Sequence, residues 1–459
     1  MGALSGANIK KTIYYLQRNG LKNTWYAVRE RLAQAKETPY VYEAPPPEEL
    51  ERQRETFRNQ NAGAAFENID FSIVVPLYRT KPEFLKELIK SMQAQTFPHW
   101  ELILADATED DSVWKIVKTF SDVRNIRYVH LTANEGISGN TNAALPYAKM
   151  NYIGLLDHDD ILTPDALFEM AEAIRQAREQ GQELHLIYSD EDKCNGDATA
   201  YYEPHYKEEF NYDLILSNNY ICHFLVMKRE LIQKLAFRPE YDGAQDYDLV
   251  LRTVSELGVL SDPQREAFIG HVPKVLYHWR CHASSTAENP RSKEYAYEAG
   301  RRALQSHMDA NGIPGQVKNL KHVGFYRVEY STNLFAARKD IGAVGGPIFK
   351  GGKITGGRMD NTGEVFYRNL PMHFSGYMNR AVLTQNADVV DIRNMAVRKE
   401  LYSLFREITG VTYCEKPGCG IFDASVLPEG TDYTALSLKL SEAIRREGYR
   451  ILWSRRDNE

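Results

Sequence analysis

Phe71-Ser72-Ile73-Val74-Val75-Pro76-Leu77 is a short, β-branched, apolar run, the pattern of a strand buried on both faces of a parallel sheet. Thr80-Lys81-Pro82-Glu83 reads as a capping box ahead of Phe84, Leu85, Leu88, Ile89 and Met92, which share one helix face. Glu101–Ala105, Ile126–Leu131, Tyr152–Leu156 and Leu184–Tyr188 are the next strand candidates. Between the last two, Thr163-Pro164-Asp165 opens a helix with Leu167, Met170, Ala171 and Ile174 on one face, ending at Gly181. Such alternation predicts an α/β layer fold with a mostly parallel sheet. In these sheets ligands sit outside the carboxyl ends of the strands, so chemistry is sought there.

Upstream the pattern differs. Residues 1 to about 40 carry Lys10, Lys11, Arg18, Lys22, Arg29, Arg31 and Lys36 against Glu30 and Glu37. Ile9, Ile13 and Leu16 fall at helical spacing, Asn19-Gly20 reads as a stop, and Trp25, Val28 and Leu32 repeat the pattern. Two short basic amphipathic helices can lie on an anionic membrane surface or dock on the main domain; the spacing fits both. Pro45-Pro46-Pro47 and the charged stretch Glu48 to Arg58 read as a linker or an exposed helix.

Composition narrows the class. At 459 residues the chain exceeds what one core usually organises. Its 43% hydrophobic and 26% charged residues are those of a folded, water-facing protein. A net charge of -6 offers no basic excess for nucleic acid. Five scattered cysteines do not form a disulfide framework, which fits a reducing, cytoplasmic location. No apolar run approaches the roughly 20 residues that span a bilayer, and no secretory signal opens the chain, so membrane contact is expected to be peripheral.

Three strand ends carry acids. They are Ala105-Asp106-Ala107-Thr108, Asp157-His158-Asp159-Asp160 and Ser189-Asp190-Glu191-Asp192-Lys193. Oxygen-rich, sulfur-poor sets select hard cations such as Mg2+ or Mn2+, which suit diphosphate chemistry. A lone strand-end aspartate is usually a turn or cap; four polar residues closing an apolar strand are harder to dismiss. A further acid, Asp246, lies in Gly243-Ala-Gln-Asp246-Tyr-Asp248, at the start of a helix ending near Gly258. Position alone fits both an N-cap and a general base. Other chemistries lack their signatures. No GxGxxG follows the first strand, and Gly346 to Lys353 has the wrong spacing for a phosphate loop. His278-Trp-Arg-Cys-His282 has Trp279 where a zinc protease needs Glu.

Seven pieces occur together in one order: SIVVPLY (Ser72 to Tyr78), QTFPHWELILAD (Gln95 to Asp106), NEGISGNTNAAL (Asn134 to Leu145), LLDHDDILTPDAL (Leu155 to Leu167), YSDEDK (Tyr188 to Lys193), GAQDYDLVLR (Gly243 to Arg252) and LYHWRCHASSTA (Leu276 to Ala287). The run resembles the family 2 glycosyltransferases of GT-A fold, a Rossmann-like, mostly parallel sheet with flanking helices. It is most similar to the bacterial branch that builds O-antigen, capsule and other surface polysaccharides, often called rhamnosyltransferases. The resemblance implies a metal-dependent, inverting transfer from a nucleotide-sugar donor (UDP- or dTDP-sugar) to a glycan or lipid-linked acceptor. It implies Pro76, Tyr78, Asp106, Asp157 and Arg280 at the nucleotide, and Asp159 with His282 at Mn2+ or Mg2+. It implies Asp246 as base and Asp190, Asp192 and Gln245 as candidates for the sugar or acceptor. Two departures stand out: only one acid remains at Asp106, and Gln245 replaces the usual Glu before Asp246. A non-catalytic scaffold of a polysaccharide assembly complex is the alternative from another class.

The resemblance divides the chain into basic helices and linker (1–68), a GT-A domain (69–328) and a partial second transferase-like domain (329–459). Leu225 to Leu231 (LVMKREL) recurs in form as Met395 to Leu401 (MAVRKEL), and the stretch Ser437 to Gly448 parallels the helix carrying Asp246. Half a sheet exposes an edge, so this α/β half-domain is expected to dock on the first domain or to form a homodimer.

Overall fold

The computed structural model describes residues 6–34, 39–58, 64–120, 124–282 and 294–455. Its central sheet has nine strands among the described residues: β1 Phe71–Leu77, β2 Trp100–Asp106, β3 Ile126–His130, β4 Tyr152–Leu155, β5 Ile161–Leu162, β6 Leu186–Cys194, β7 Tyr201–His205, β8 Leu225–Lys228 and β9 Ile269–Arg280. They lie in the order β3-β2-β1-β4-β8-β6-β9-β5, with β7 on β6. The first four are parallel, β8 runs antiparallel between β4 and β6, and β9 is parallel to β6. The chain leaves β1 towards β2 and β3, then returns to β4 on the other side. That reversal makes the carboxyl ends of β1 and β4 the topological switch point, where sheets of this kind bind their ligands. The α/β GT-A expectation is met, with a mixed half-sheet beyond β4.

β1 is apolar because both its faces are covered. Val74 packs with Ile103, Ile153 and Met227, whereas Ile73 and Val75 pack with Leu85, Leu88 and Leu104. All three residues are fully buried.

Local expectations need three corrections. The helix after β1 is Pro82–Gln93 with Lys81 as its cap, no side-chain capping bond and Pro82 in the first turn. With the cap at Lys81, Thr80 lies one residue outside the helix, and its hydroxyl is buried without a partner among the described residues. The strand expected to end at Tyr188 runs on through Asp190, Glu191 and Asp192 to Cys194, because β7 and β9 pair with its far half. The charged stretch after Pro45 is a docked helix, Pro47–Arg58, whose buried Gln53 accepts a bond from the Thr96 hydroxyl at 2.6 Å.

The N-terminal segment is a helix from Gly6 to Gln34 broken at Gly20, which takes φ 75°. It lies against the protein through Asn19 to the Lys321 carbonyl, Tyr26 stacked on His373 at 4.1 Å, and Glu30 accepting from the Ser375 and Gly376 amides. No described helix is long and apolar enough to cross a membrane.

Residues after 330 build a second sheet, in the order Gln385–Asn386, Arg450–Trp453, Ile341–Gly345, Met395–Val397. The sheet packs on the helix Tyr433–Arg446 around Ile392, Phe405, Leu440 and Trp453. A buried ionic network joins it to the first sheet's helices. Arg338 holds Asp213 at 2.7 Å and Asp340 at 2.7 Å, and Arg450 reaches Asp340 and Glu266, both at 2.8 Å.

Candidate active site

The loops after β1 and β2 meet at the carboxyl edge of the sheet. Arg79, Thr80, Pro82, Thr108, Glu109 and Ile116 line a cleft of 520 Å³ there. Parallel pairing of Leu77 with Asp106 brings those two loops side by side. The Thr108 hydroxyl accepts from the Arg79 amide at 2.9 Å, and the Tyr78 hydroxyl donates to Glu109 at 3.0 Å. Glu109 also pairs with Arg79 at 2.8 Å, on the surface. Asp106 is fully buried beneath this cleft. One of its oxygens accepts from the Thr108 amide at 2.9 Å and the other from the Tyr128 hydroxyl at 2.7 Å. It therefore fixes the loop that forms the cleft floor.

β4 delivers its acids to the same edge of the sheet by a tight turn, in which the Asp160 amide donates to the Asp157 carbonyl at 3.2 Å. Asp160 is buried; its carboxylate accepts from the Tyr277 hydroxyl and from the Arg280 amide, the latter at 2.7 Å. Burial, then the neighbouring Asp159 and Asp157 charges, push its pKa well above the usual carboxylate range. Arg280 is buried too, and its guanidinium donates to the Asp159 carbonyl (2.5 Å), the Gly196 carbonyl (2.8 Å) and Glu87 (2.6 Å) over the Phe84 ring. In this structure Arg280 clamps the acidic turn instead of presenting its fork to the cleft. Asp159 meets His282, Oδ2 to Nε2, at 2.8 Å.

Among the described residues no group of three or more His, Cys, Asp or Glu side chains could hold a metal ion alone. The Asp159–His282 pair still suits an ion that takes its remaining ligands from diphosphate oxygens and water, the usual habit of Mg2+ at nucleotide sites. The donor set fits.

Asp246 lies in the first turn of helix Gln245–Glu256. Its neighbours are committed elsewhere: Asp248 pairs with Arg238 and Arg252, and Gln245 accepts from the Gly243 amide at 2.8 Å. Asp246 is partly exposed at the protein surface. Desolvation in its cleft, then the nearby Asp157 charge, raises its pKa to about 6, with His223 opposing. The coupling to Asp157 puts this carboxyl beside the β4 acids. An N-cap is excluded, because Ala244 caps the helix.

The structure engages Asp190 and Asp192 elsewhere. Asp190 binds His271 at 2.9 Å and the Lys207 amide at 2.8 Å; Asp192 binds His278 at 2.6 Å and the Tyr40 hydroxyl at 2.8 Å. Glu191 between them turns the other way. It approaches His223 Nδ1 at 3.0 Å, Lys207 Nζ at 3.5 Å and His205 Nδ1 at 3.6 Å. Burial would raise the Glu191 pKa, but Lys207 and His223 outweigh it and hold it well below the usual range. Burial alone would lower His223, yet Glu191 and then Asp157 and Asp160 raise it to about 9. A cationic imidazole thus stands beside the acids. Sequence reasoning missed Glu191, His205, Lys207 and His223; the one local signal was a charged residue alternating with aspartates along a strand.

The class these features define is an α/β protein with a largely parallel sheet, flanking helices and acids at the carboxyl edge of its strands. Residues 72–236 match the sequence model of the family described as Glycosyl transferase family 2. The chain is 39% identical over 241 residues to the protein y4gI of Sinorhizobium fredii, covering 52% of this chain and 25% of that one. It is 30% identical over 264 residues to the O-antigen biosynthesis protein RfbC of Myxococcus xanthus, covering 56% and 19%. The chain thus spans a quarter or less of these relatives. Among solved structures, S. aureus TarS 1–349 in complex with UDP is similar with TM-score 0.38 and 18% identity, covering 52% of this chain and 65% of that one.

Proposed function

We propose that this chain is an inverting glycosyltransferase that moves a sugar from a UDP- or dTDP-sugar to a glycan or lipid-linked glycan during surface polysaccharide synthesis, at the inner face of the cell membrane. The observation that carries the reading is the electrostatic coupling of Asp246 to Asp157, in the same turn as Asp159, at the carboxyl end of β4. The relative named for O-antigen biosynthesis supports the substrate class.

The residues divide the work as follows. Pro76 and Tyr78, the latter bonded to the cleft residue Glu109, are assigned to the nucleotide base, Asp106 stiffens the loop beside them, and Asp157 takes the ribose. Asp246, ionised above its raised pKa, accepts the proton of the acceptor hydroxyl. That oxygen attacks the anomeric carbon from the face opposite the nucleotide, the bond to the diphosphate oxygen breaks, and the configuration inverts. Arg280 and Asp160 hold the turn that aims Asp157 and Asp159. A divalent cation, Mg2+ or Mn2+, held by Asp159 and His282 would supply neutralising charge for the departing diphosphate. We assign residues 329–459 to a non-catalytic remnant of a second transferase-like domain, serving as a platform for the acceptor.

The test is a donor-hydrolysis and transfer screen of nucleotide sugars with Mg2+ and Mn2+, comparing wild type with Asp159→Ala. Metal-dependent turnover is expected to fall by about a hundredfold or more in the variant. Turnover at the wild-type rate in Asp159→Ala would refute the assignment.

A further inference from the structure

We propose that the second half of the N-terminal helix is a docking face for an anionic lipid surface. After the break at Gly20, Leu21, Trp25, Val28 and Leu32 recur at helical spacing and form one stripe. They are 79%, 54%, 41% and 53% exposed, so the stripe is uncovered among the described residues. The opposite face is the one that is fixed. Tyr26 stacks on His373, and Glu30 accepts from two backbone amides. The protein therefore locks the helix in the orientation that turns its apolar side outward.

Charge selects the occupant. Between residues 12 and 34 the basic residues are Arg18, Lys22, Arg29 and Arg31, and the acid Glu30 is turned inward. Arg29 lies over the Trp25 ring at 4.7 Å, at the margin of the stripe. Lys22, Lys321 and Arg455 gather around His373, and after burial their charges lower its pKa. This basic margin stands on a chain whose net charge is -6. An apolar stripe with an interfacial tryptophan and a cationic rim is the pattern of a helix lying in the headgroup region of an anionic bilayer. A second copy of the chain fits worse. Four side chains fall short of the roughly 800 Å² per partner of a stable interface, and a two-fold pairing would oppose like charges.

The helix end approaches β7 through Arg31 and Glu203, 4.0 Å apart, and Glu203 also pairs with Lys193 of β6 at 2.7 Å. A lipid-bound helix would thus sit beside the hairpin that flanks the acids. The inference stands apart from the transferase reading.

The experiment is co-sedimentation of the full chain with vesicles of phosphatidylcholine alone or mixed with phosphatidylglycerol, with sedimentation velocity and circular dichroism on each variant. Wild type is expected to pellet with phosphatidylglycerol vesicles and not with phosphatidylcholine alone. The folded Leu21→Ser/Trp25→Ser/Leu32→Ser variant is expected to bind about tenfold more weakly or worse. Asp159→Ala is expected to pellet like wild type, so loss of activity and loss of docking are read separately. Absence of pelleting with phosphatidylglycerol, undiminished pelleting of the triple variant, or a wild-type dimer that the triple variant dissociates would each overturn the proposal.

Discussion

Asp246 illustrates how a residue's surroundings set its chemistry. Its pKa of about 6 lies above the ordinary 3.8 because its cleft desolvates it and Asp157 repels its charge. A folded-state pKa raised in this way contributes stability that is complete below 3.8 and lost as pH rises through 6. Asp246→Asn removes that loss and is expected to raise stability at pH 8 by about 2 kcal/mol, measured by denaturant titration, with no gain at low pH. The same variant is expected to bind nucleotide normally while transfer falls by about 10²–10⁴-fold. The wild-type rate is expected to climb with pH through about 6, as the base ionises. Transfer that survives in Asp246→Asn would place the base elsewhere.

Among the elements, the helix bearing Asp246 shows how a turn aims a side chain. Gly243 precedes it with φ +92°, and a Cβ there would stand 2.7 Å from Tyr295 and 2.9 Å from Ala296. Gly243→Ala is expected to lower stability by about 1–3 kcal/mol and to reduce kcat more than it raises the donor KM. Thermal melting and steady-state kinetics check both. The β6 strand teaches a different lesson. Leu184–Tyr188 reads as a strand and the acids after it as a loop, because charged residues are depleted from isolated strands. Pairing with β7 and β9 supplies partners the local sequence does not display, so Asp190, Glu191 and Asp192 become strand residues aimed at separate clusters. The apolar run of β1 and the acidic turn after β4 were legible because one period or one short motif encodes each. Arg280 was legible as a site residue but its clamping role was not, since Glu87 and Gly196 lie far from it in sequence.

The whole molecule is held together across its two sheets by Arg338, Asp213, Asp340, Arg450 and Glu266. Arg338 is almost wholly buried, so removing it strands Asp213 in the interior and leaves Asp340 to Arg450 alone. Arg338→Ala is expected to cost about 3–5 kcal/mol, read as a fall in melting temperature, and cutting the chain near residue 330 is expected to leave Asp213 and Glu266 without their arginines. A truncated chain that stays soluble with an unchanged melting temperature would show that the two sheets are independent. By itself the sequence determined the alternating α/β pattern, the buried β1 strand, the acids at Asp157 to Asp160 and the helix start at Asp246, because periodicity and turn chemistry act over a few residues. Only tertiary structure decided that Asp106 and Arg280 brace the site, that His223 and Glu191 border it, and that Leu21, Trp25, Val28 and Leu32 face outward. Burial and electrostatic coupling depend on which distant segments meet, and that is a property of the packed chain.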